Sequence, residues 1–173
     1  NGLRRWEPCV PGDGKFYEQL SVHPWYYARE KDEFVIARKI IGDASVLEVG
    51  CGSGFFADGS SLRSYIGLEL NENAARQARI KGHDVKKVML NEYADSNPAS
   101  VDVVCSFQVL EHLVDPAEYF RDALKLLKPG GRIVTSVPSE DSFVGSIVDN
   151  VLNAPPHHLT RWTDQALRVF PQS

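Results

Sequence analysis

The sequence is poor in cysteine, with Cys9, Cys51 and Cys105 the three in a chain of 173 residues. An odd number of cysteines without Cys-x-x-Cys spacing forms neither a disulfide framework nor a cysteine-based zinc site. This scarcity excludes a small disulfide-stapled domain, and it predicts a reducing, cytoplasmic compartment.

An excess of basic residues and long apolar runs are also absent. The 19 Lys and Arg residues are outnumbered by 23 Asp and Glu residues, which gives a net charge of -4. Nucleic-acid binding depends on a basic surface, so we predict no nucleic-acid partner. The sequence has no apolar run near the roughly 20 residues of a membrane-spanning helix, so we also predict no membrane partner.

What the sequence does contain is the composition of a folded domain. Hydrophobic residues make up 43% and charged residues 24%, which is enough apolar material for a buried core. We therefore predict a single domain over residues 1–173. The sequence does not begin with Met, so we expect a piece of a longer or processed chain.

Apolar runs and helical patterns alternate along the middle of the chain. Helices are predicted at residues 29–41, 71–81 and 116–128, the last beginning with an Asp115 cap and Pro116. Strands are predicted at residues 45–49, 64–69, 84–90, 101–106 and 132–137. This alternation predicts an α/β fold with a doubly wound, mostly parallel sheet.

The two ends of the chain show a different pattern. Residues 1–28 combine prolines and glycines with many aromatic residues, which predicts an N-terminal wrap or lid. The aromatic segment 23–29 is expected either to close over the cofactor or acceptor or to pack in the core. Residues 141–152 carry an apolar stripe at helical spacing, which predicts an amphipathic helix that covers a site, packs on the sheet or forms a dimer surface. Thr163 is expected to cap a last helix that reaches Phe170.

Three glycines, Gly50, Gly52 and Gly54, follow the first predicted strand at alternate positions. Glycines at such a turn let the backbone bend sharply and approach a ligand closely. The spacing from Gly52 to Ala57 also fits the dinucleotide fingerprint, so the turn alone leaves the ligand open. Cys51 within the turn is either a reactive thiol or, as we favour, a small residue that the tight turn tolerates.

Two acidic residues narrow the choice of ligand. Glu48 precedes the first glycine, where a carboxylate repels a pyrophosphate but pairs with an ammonium group. Glu69 ends the second strand about 20 residues later, where an acid can accept the two hydroxyls of a ribose. An adenosyl group with an amino-acid tail satisfies both carboxylates.

Four motifs in order resemble one family. They are LEVGCGSG at residues 47–54, GLE at 67–69, VLEHL at 109–113 and LLKPGG at 126–131. Together they resemble the class I S-adenosylmethionine-dependent methyltransferases, in particular the small-molecule type with Glu-His-Leu and Leu-Lys-Pro-Gly-Gly turns. The resemblance implies a Rossmann-like sheet of order 3-2-1-4-5, with residues 44–137 as the cofactor-binding core.

The resemblance also implies which residues contact S-adenosylmethionine. The glycine turn would hold the methionine part, the acid after the second strand the ribose, and residues after the third and fourth strands the adenine and sulfonium. Carried over by position, the contacts are Glu48, Gly50, Cys51, Gly52, Gly54, Glu69, Leu70, Asn91, Ser106, Phe107 and Gln108.

Methyl transfer to a hydroxyl acceptor needs a base, and histidine is suited to that role near neutral pH. His112 follows the fourth strand on the carboxyl edge of the sheet, where doubly wound folds bind ligands. His157 and His158 lie in a proline-stiffened segment, together with Trp162, which offers a stacking face. These three histidines are the predicted catalytic residues, with a structural turn and exposed capping residues as the alternatives.

A metal site formed by Glu111 and the same three histidines is the weaker interpretation, because no ligand spacing in the sequence supports it. We therefore predict S-adenosylmethionine as the cofactor and no metal.

The predicted function is methyl transfer to an oxygen, nitrogen or carbon atom of a small-molecule acceptor. A catalytically inactive cofactor-binding relative and a nicotinamide-dependent enzyme are the alternatives; a methyltransferase acting on nucleic acid is disfavoured by the acidic charge. The C-terminal hairpin of the family is not readable, so residues 138–173 are expected to form a truncated lid and C-terminal helix. The edge left at residues 132–137 would then be covered by that segment, by a further tail or by a second subunit in a homodimer.

Overall fold

The computed structural model describes residues 2–23, 26, 28–147 and 150–170. The predictions that involve Pro24, Trp25, Tyr27 and Val148 concern residues outside these ranges. In chain order the strands and helices are β1 (Arg4–Arg5), α1 (Gly14–Ser21), α2 (Asp32–Ile41), β2 (Ser45–Val49), α3 (Phe55–Asp58), β3 (Ser64–Leu68), α4 (Glu72–Ile80), β4 (Val85–Lys86), α5 (Leu90–Ser96), β5 (Val101–Phe107), α6 (Pro116–Leu126), β6 (Leu127–Ser136), β7 (Thr160–Arg161) and α7 (Asp164–Val169).

The central sheet has five strands in the order β4-β3-β2-β5-β6, and all four pairings are parallel. Because β2 is the first of the predicted strands, this order confirms the predicted 3-2-1-4-5 arrangement and the doubly wound α/β class. The strand β2 lies at the centre, with Glu48 opposite Gly67 of β3 and Cys105 of β5. The glycine turn therefore leaves the sheet at its middle, where the strand order reverses.

Apolar side chains cover both faces of the sheet. On one face Leu47 and Val104 pack with Tyr119 and Phe120 of α6 and with Trp162. The residues that fill the other face are Phe34, Ala37, Ile41, Val46, Phe56, Val103, Cys105 and Phe107. Alternate residues of β2 and β5 point to opposite faces, which is why these strands read as continuous apolar runs in the sequence.

The predicted helix starts are confirmed where a side chain caps the backbone. Asn71 accepts hydrogen bonds from Asn73 and Ala74 before α4, and Asp115 accepts from Ala117 and Glu118 before α6. Thr163 accepts from Ala166 and begins α7, as predicted. These caps satisfy amide groups that have no partner within the helix.

The prediction of a helix over residues 141–152 is wrong. The segment forms two short 3₁₀ turns, Phe143–Ser146 and Val151–Asn153. Ser142 and Asn150 each accept a backbone hydrogen bond two residues ahead, and such local bonds compete with a continuous helix. The apolar stripe is not buried either, since Phe143 is 76% and Val151 79% exposed.

The two ends of the chain meet in a second, small sheet. Arg4 and Arg5 of β1 pair antiparallel with Arg161 and Thr160 of β7. Trp162 next to this pair is fully buried and donates its indole N–H to Thr160, so the prediction that it offers a stacking face is wrong. A pairing of residues so distant in sequence leaves no local pattern that could predict it.

Three helices, α1, α3 and α5, were not expected from the sequence. Helix α1 begins after Asp13, whose side chain accepts from the amide of Phe16, within a segment predicted to be irregular. Helix α5 begins at Leu90, so the predicted third strand is reduced to Val85–Lys86. Among the described residues, no helix combines the length and the apolar composition needed to cross a bilayer.

Candidate functional site

A cavity of about 910 Å³ lies at the carboxyl ends of the central strands. Its floor is formed by residues at and after the ends of β2, β3 and β5, including the glycine turn, residues 69–72, residues 107–109 and residues 111–115. Residues of the N-terminal segment, among them Tyr17 and Tyr26, form the wall opposite, together with His157 and His158. The cavity therefore lies between the sheet and the two chain ends.

The glycine turn is held against β3 by its own amides. Gly50 and Cys51 both donate to the carbonyl of Leu68, at 2.8 and 3.1 Å. Gly50 has a φ of +69°, and a Cβ atom there would lie 2.7 Å from Cγ2 of Val109. Glycine is thus required at this position both by the backbone conformation and by the close packing of the turn.

Glu48 ends up almost fully buried beside this turn, with 2% of its surface exposed. The hydroxyl of Tyr65 donates to Oε2 of Glu48 at 2.6 Å. Burial is the main cause that raises the pKa of Glu48 to about 8, while Lys31 and Arg38 act in the opposite direction. The carboxyl is therefore a buried acid that a nearby cation would ionise.

Glu69 is fixed by two backbone amides. Gly52 donates to Oε2 at 2.8 Å and Asn71 donates to Oε1 at 2.7 Å. Burial raises the pKa of this carboxyl, and the two amides partly offset that effect. Each carboxylate oxygen retains a further lone pair, so the group can accept hydrogen bonds from a ligand without losing these amides.

Most of the other residues that the motifs predict for cofactor binding line the cavity. Leu70, Asn91, Phe107 and Gln108 do so, as do Gly50, Cys51 and Gly52. Gln108 has a φ of +59° and donates its backbone N–H to Ser136, an unusual conformation for a residue with a side chain.

Two of the predicted residues lie outside the cavity wall as the described residues define it. Gly54 faces the ring of His83, which a Cβ atom would approach to 2.7 Å. The hydroxyl of Ser106 is buried between Thr135 and Tyr119, with 2.9 Å to each oxygen. Cys51 is buried against Gly67, and burial raises the pKa of its thiol strongly, which fits a small packed residue rather than a reactive thiol.

The three predicted catalytic histidines lie together at one end of the cavity. One ring nitrogen from each of His112, His157 and His158 lies within 4.8 Å of those of the other two. The rings of His157 and His158 stack with centroids 4.5 Å apart. Two backbone-directed bonds bring these segments together, from the amide of Leu159 to the carbonyl of Glu111 and from the hydroxyl of Thr160 to Leu110.

Each imidazole uses its Nδ1 atom in a hydrogen bond to an oxygen that can only accept. His112 Nδ1 donates to the carbonyl of His157 at 2.5 Å, and His157 Nδ1 to the carbonyl of Leu152 at 2.9 Å. His158 Nδ1 donates to Oδ1 of Asn153 at 3.0 Å. The proton of each neutral ring is therefore on Nδ1, and each Nε2 presents a lone pair.

Burial keeps these rings neutral. Desolvation lowers the pKa of His112 to about 4 and that of His158 to about 3, and it lowers the pKa of His157 as well. Neutral imidazoles can accept a proton or bind a cation through Nε2.

Glu111 lies beside the histidines and is 1% exposed. Neither of its carboxylate oxygens has a hydrogen-bond partner among the described residues. Oε1 lies 4.0 Å from Nε2 of His112 and 4.0 Å from Nε2 of His158. Burial raises the pKa of Glu111 to about 8. A buried carboxyl without a partner is costly, so its presence in a cavity wall points to a ligand.

The sequence was also compared with known proteins. The model of the family described as "Methyltransferase domain" matches residues 22–171. The chain belongs to this family. The family to which the four sequence motifs point is thereby confirmed.

Several curated relatives of this methyltransferase-domain chain are similar to it. A protein of Mycolicibacterium smegmatis named a probable S-adenosylmethionine-dependent methyltransferase is 36% identical, over 79% of this chain and 52% of its own length. The ubiquinone biosynthesis O-methyltransferase of Vibrio atlanticus is 29% identical, over 84% of this chain and 62% of its own length. The chain thus spans about half to two thirds of the length of these relatives.

Solved structures agree on the fold. A SAM-dependent methyltransferase of Archaeoglobus fulgidus superposes with a TM-score of 0.68 at 26% identity, covering 90% of this chain and 72% of that one. One from Thermotoga maritima gives a TM-score of 0.72 at 21% identity, covering 92% and 77%. The Rossmann-like methyltransferase architecture predicted from the motifs is confirmed.

Sequence reasoning missed some residues of this methyltransferase-domain site. Tyr65 was assigned to a strand, and its bond to Glu48 follows from the register of β2 and β3. Tyr17 lies in a segment predicted to be irregular, yet its hydroxyl lies 3.5 Å from Nδ1 of His112. The many aromatic residues of the N-terminal segment were the one available signal for this wall.

Proposed function

We propose that this chain transfers a methyl group from S-adenosylmethionine to a small-molecule acceptor, most favourably to a hydroxyl oxygen. The observation that carries the proposal is the pair of buried carboxylates, Glu48 and Glu69, on either side of a positive-φ glycine turn in the cavity floor. The family of the chain and the names of its relatives support the same cofactor.

The residues present fit this cofactor. A cavity of about 910 Å³ is within the usual range of roughly 300–1,000 Å³ for small-molecule sites. Glu48 lacks a hydrogen-bonded cation in the described structure, and the ammonium group of a methionine tail would supply one. Glu69 keeps lone pairs for the hydroxyls of a ribose.

When bound, S-adenosylmethionine supplies an electrophilic methyl group on a sulfonium. The task of the chain is to orient that methyl and the acceptor in line and to exclude water. The glycine turn and Glu69 would fix the cofactor from the floor, while the N-terminal segment and His157 close the opposite wall. The predicted lid role of residues 1–28 is part of this proposal.

Neutral imidazoles at the far end of the cavity favour a hydroxyl acceptor. An acceptor hydroxyl must lose its proton when the new bond forms, and a ring with a free Nε2 can take that proton. His112, His157 and His158 are proposed for this role. The relatives named as O-methyltransferases fit the same class of acceptor.

A dinucleotide cofactor is the competing candidate. It would need the amide of Gly52 free to face a pyrophosphate, but that amide donates to Glu69. Two carboxylates next to the turn would also repel the phosphate charges. These contacts favour the adenosyl cofactor with an amino-acid tail.

The test is transfer of a labelled methyl group. Purified chain is incubated with methyl-tritiated S-adenosylmethionine and a panel of phenols, catechols, amines and carbon acids. We expect labelled product from at least one phenolic acceptor, and a strong loss of turnover in His112→Gln with unchanged affinity for S-adenosylhomocysteine. Tight binding of S-adenosylhomocysteine without transfer to any acceptor would instead support the inactive relative.

Two predictions about the context of the protein stay predictions. They are the homodimer and the cytoplasmic compartment; sedimentation equilibrium of the chain tests the first.

A further inference from the structure

All three rings of the histidine cluster are oriented by hydrogen bonds, although a single imidazole would suffice as a proton acceptor. Three imidazoles from two distant segments present ring nitrogens within 4.8 Å of one another. All three donate Nδ1–H to a fixed oxygen, which is the usual way in which proteins orient histidines that bind metals through Nε2.

Asn153, whose side-chain oxygen accepts from His158, is itself fixed by a further hydrogen bond. Asn153 accepts from His158 through Oδ1 and donates through Nδ2 to Glu140 at 2.9 Å. Glu140 in turn pairs with Arg161. This chain of contacts fixes the amide orientation of Asn153, and so it fixes the direction in which Nε2 of His158 points.

The carboxylate of Glu111 is a second observation, independent of the histidine hydrogen bonds, that points to a bound cation. Its carboxylate is fully buried, has no hydrogen-bond partner among the described residues and lies 4.0 Å from Nε2 of both His112 and His158. Nε2 of His157 is also buried without a partner in the described structure. A cation bound between Glu111, His112 and His158 would give this buried carboxylate a partner.

We propose that Glu111, His112 and His158 bind a divalent cation of the zinc class in the cavity wall, with Nε2 of His157 available as a further ligand. Two or three imidazoles with one carboxylate are a donor set typical of Zn²⁺. Tetrahedral zinc with bonds of 2.0–2.1 Å places its ligand atoms roughly 3.3 Å apart, so the 4.0 Å pairs need to close by less than 1 Å.

With Glu111, His112 and His158 as its ligands, such a cation would keep a fourth tetrahedral position, which a hydroxyl oxygen of the acceptor can occupy when His157 is not a ligand. Nε2 of His157 is then the ring nitrogen left to take the acceptor proton, in place of the two ligated rings. This role for the cation rests on the proposed function, whereas the binding of the cation does not. The acceptor class that follows is a phenol or catechol, whose oxygen is a good ligand for a divalent cation.

The test uses tag-free chain that has been stripped with a chelator and dialysed. Calorimetric titration with ZnCl₂ is expected to show one ion per chain, and Co²⁺ is expected to give the visible absorption of a four- or five-coordinate site. Glu111→Gln and His158→Gln are each expected to weaken Zn²⁺ binding about 100-fold or more, because loss of an outer partner alone costs about 10- to 100-fold. Asn153→Leu tests that outer partner and is expected to weaken binding about 10- to 100-fold.

His23→Gln is the matched control, because His23 is an exposed histidine that is not one of the three clustered histidines. It is expected to bind Zn²⁺ as the unaltered chain does. Wild-type chain that binds neither Zn²⁺ nor Co²⁺ stoichiometrically would overturn the proposal, and so would binding that survives in His158→Gln and Glu111→Gln. Circular dichroism of each variant separates lost binding from lost folding, and the wild-type result stands without any variant.

The same samples distinguish this proposal from the proposed function. Chelated chain that still binds S-adenosylhomocysteine but no Zn²⁺ refutes the metal site alone. Chain that binds Zn²⁺ but no S-adenosylhomocysteine refutes the proposed cofactor and leaves the metal site standing.

Discussion

Glu69 accepts hydrogen bonds from two backbone amides and is proposed to accept the ribose hydroxyls of the cofactor, and Glu69→Gln tests both roles. In the unaltered chain, the amides of Gly52 and Asn71 donate to different oxygens, at 2.8 and 2.7 Å. A glutamine offers one oxygen and one NH₂ group in nearly the same shape. One of the two backbone amides must therefore face a donor, and a ligand hydroxyl loses an ionised acceptor.

The magnitude follows from the loss of one charge-assisted hydrogen bond. Such bonds are worth about 1.5–3 kcal/mol, so the free energy of unfolding of Glu69→Gln should fall by about that amount. The cofactor loses a bond of the same kind. Since 1.4 kcal/mol corresponds to a factor of ten, the affinity for S-adenosylhomocysteine should fall about 10- to 150-fold.

Asp95→Asn is the matched control. Asp95 lies on α5 outside the cavity lining, and it is exposed and pairs at 2.8 Å with Lys125 on the surface. An exposed pair contributes about 0–1 kcal/mol, so both stability and cofactor affinity should change little.

Urea unfolding followed by circular dichroism gives the stability, and isothermal titration with S-adenosylhomocysteine gives the affinity. If Glu69→Gln bound the cofactor product as tightly as the unaltered chain does, the assignment of Glu69 to the ribose would be refuted.

Three further predictions concern the turn and the core. The affinity for S-adenosylhomocysteine should rise as pH increases from 6 to about 8, because Glu48, with its pKa raised to about 8, must ionise to pair with an ammonium group. Calorimetry of Glu48→Gln should show no such dependence of affinity on pH. A wild-type affinity that does not change with pH would contradict the pairing. Gly50→Ala should lower the free energy of unfolding in urea by about 2–3 kcal/mol, which is more than the loss expected for Gly82→Ala. Both glycines have positive φ, but a Cβ at Gly50 would clash with Val109, whereas nothing lies within 4 Å of a Cβ at Gly82. Equal losses in the two variants would argue against the clash with Val109. Trp162→Ala should cost about 3–5 kcal/mol in the same assay because the indole is fully buried; a loss below about 1 kcal/mol would mean that this segment is not part of the core.

The central sheet was predictable because its signals are local. The apolar runs that became β2 and β3 are followed by the glycine turn and by the Asn71-capped α4, and the run that became β5 precedes the Asp115-capped α6. Parallel strands of a doubly wound fold also leave few alternative orders. The two short strands β1 and β7 were not predictable, since two residues at each end of the chain carry no pattern of their own. The prediction of a helix over residues 141–152 failed because the side-chain oxygens of Ser142 and Asn150 accept hydrogen bonds from nearby backbone amides, and because Phe143 and Val151 of the apolar stripe are left exposed.

The candidate site also has one part that the sequence predicts and one part that it does not. Gly50, Glu48 and Glu69 could be placed from the sequence, because the ends of adjacent parallel strands bring them together. The histidines could be named but not assembled. His112 and His158 are joined by contacts between a turn after β5 and a loop before β7, and no spacing in the sequence records those contacts.

The measurement that tests the account most directly is paired calorimetric titration of the chain with S-adenosylhomocysteine and with NAD⁺. The contacts of Glu48, Gly52 and Glu69 predict one molecule of S-adenosylhomocysteine bound per chain and no measurable binding of NAD⁺. Binding of NAD⁺ in preference to S-adenosylhomocysteine would contradict the account.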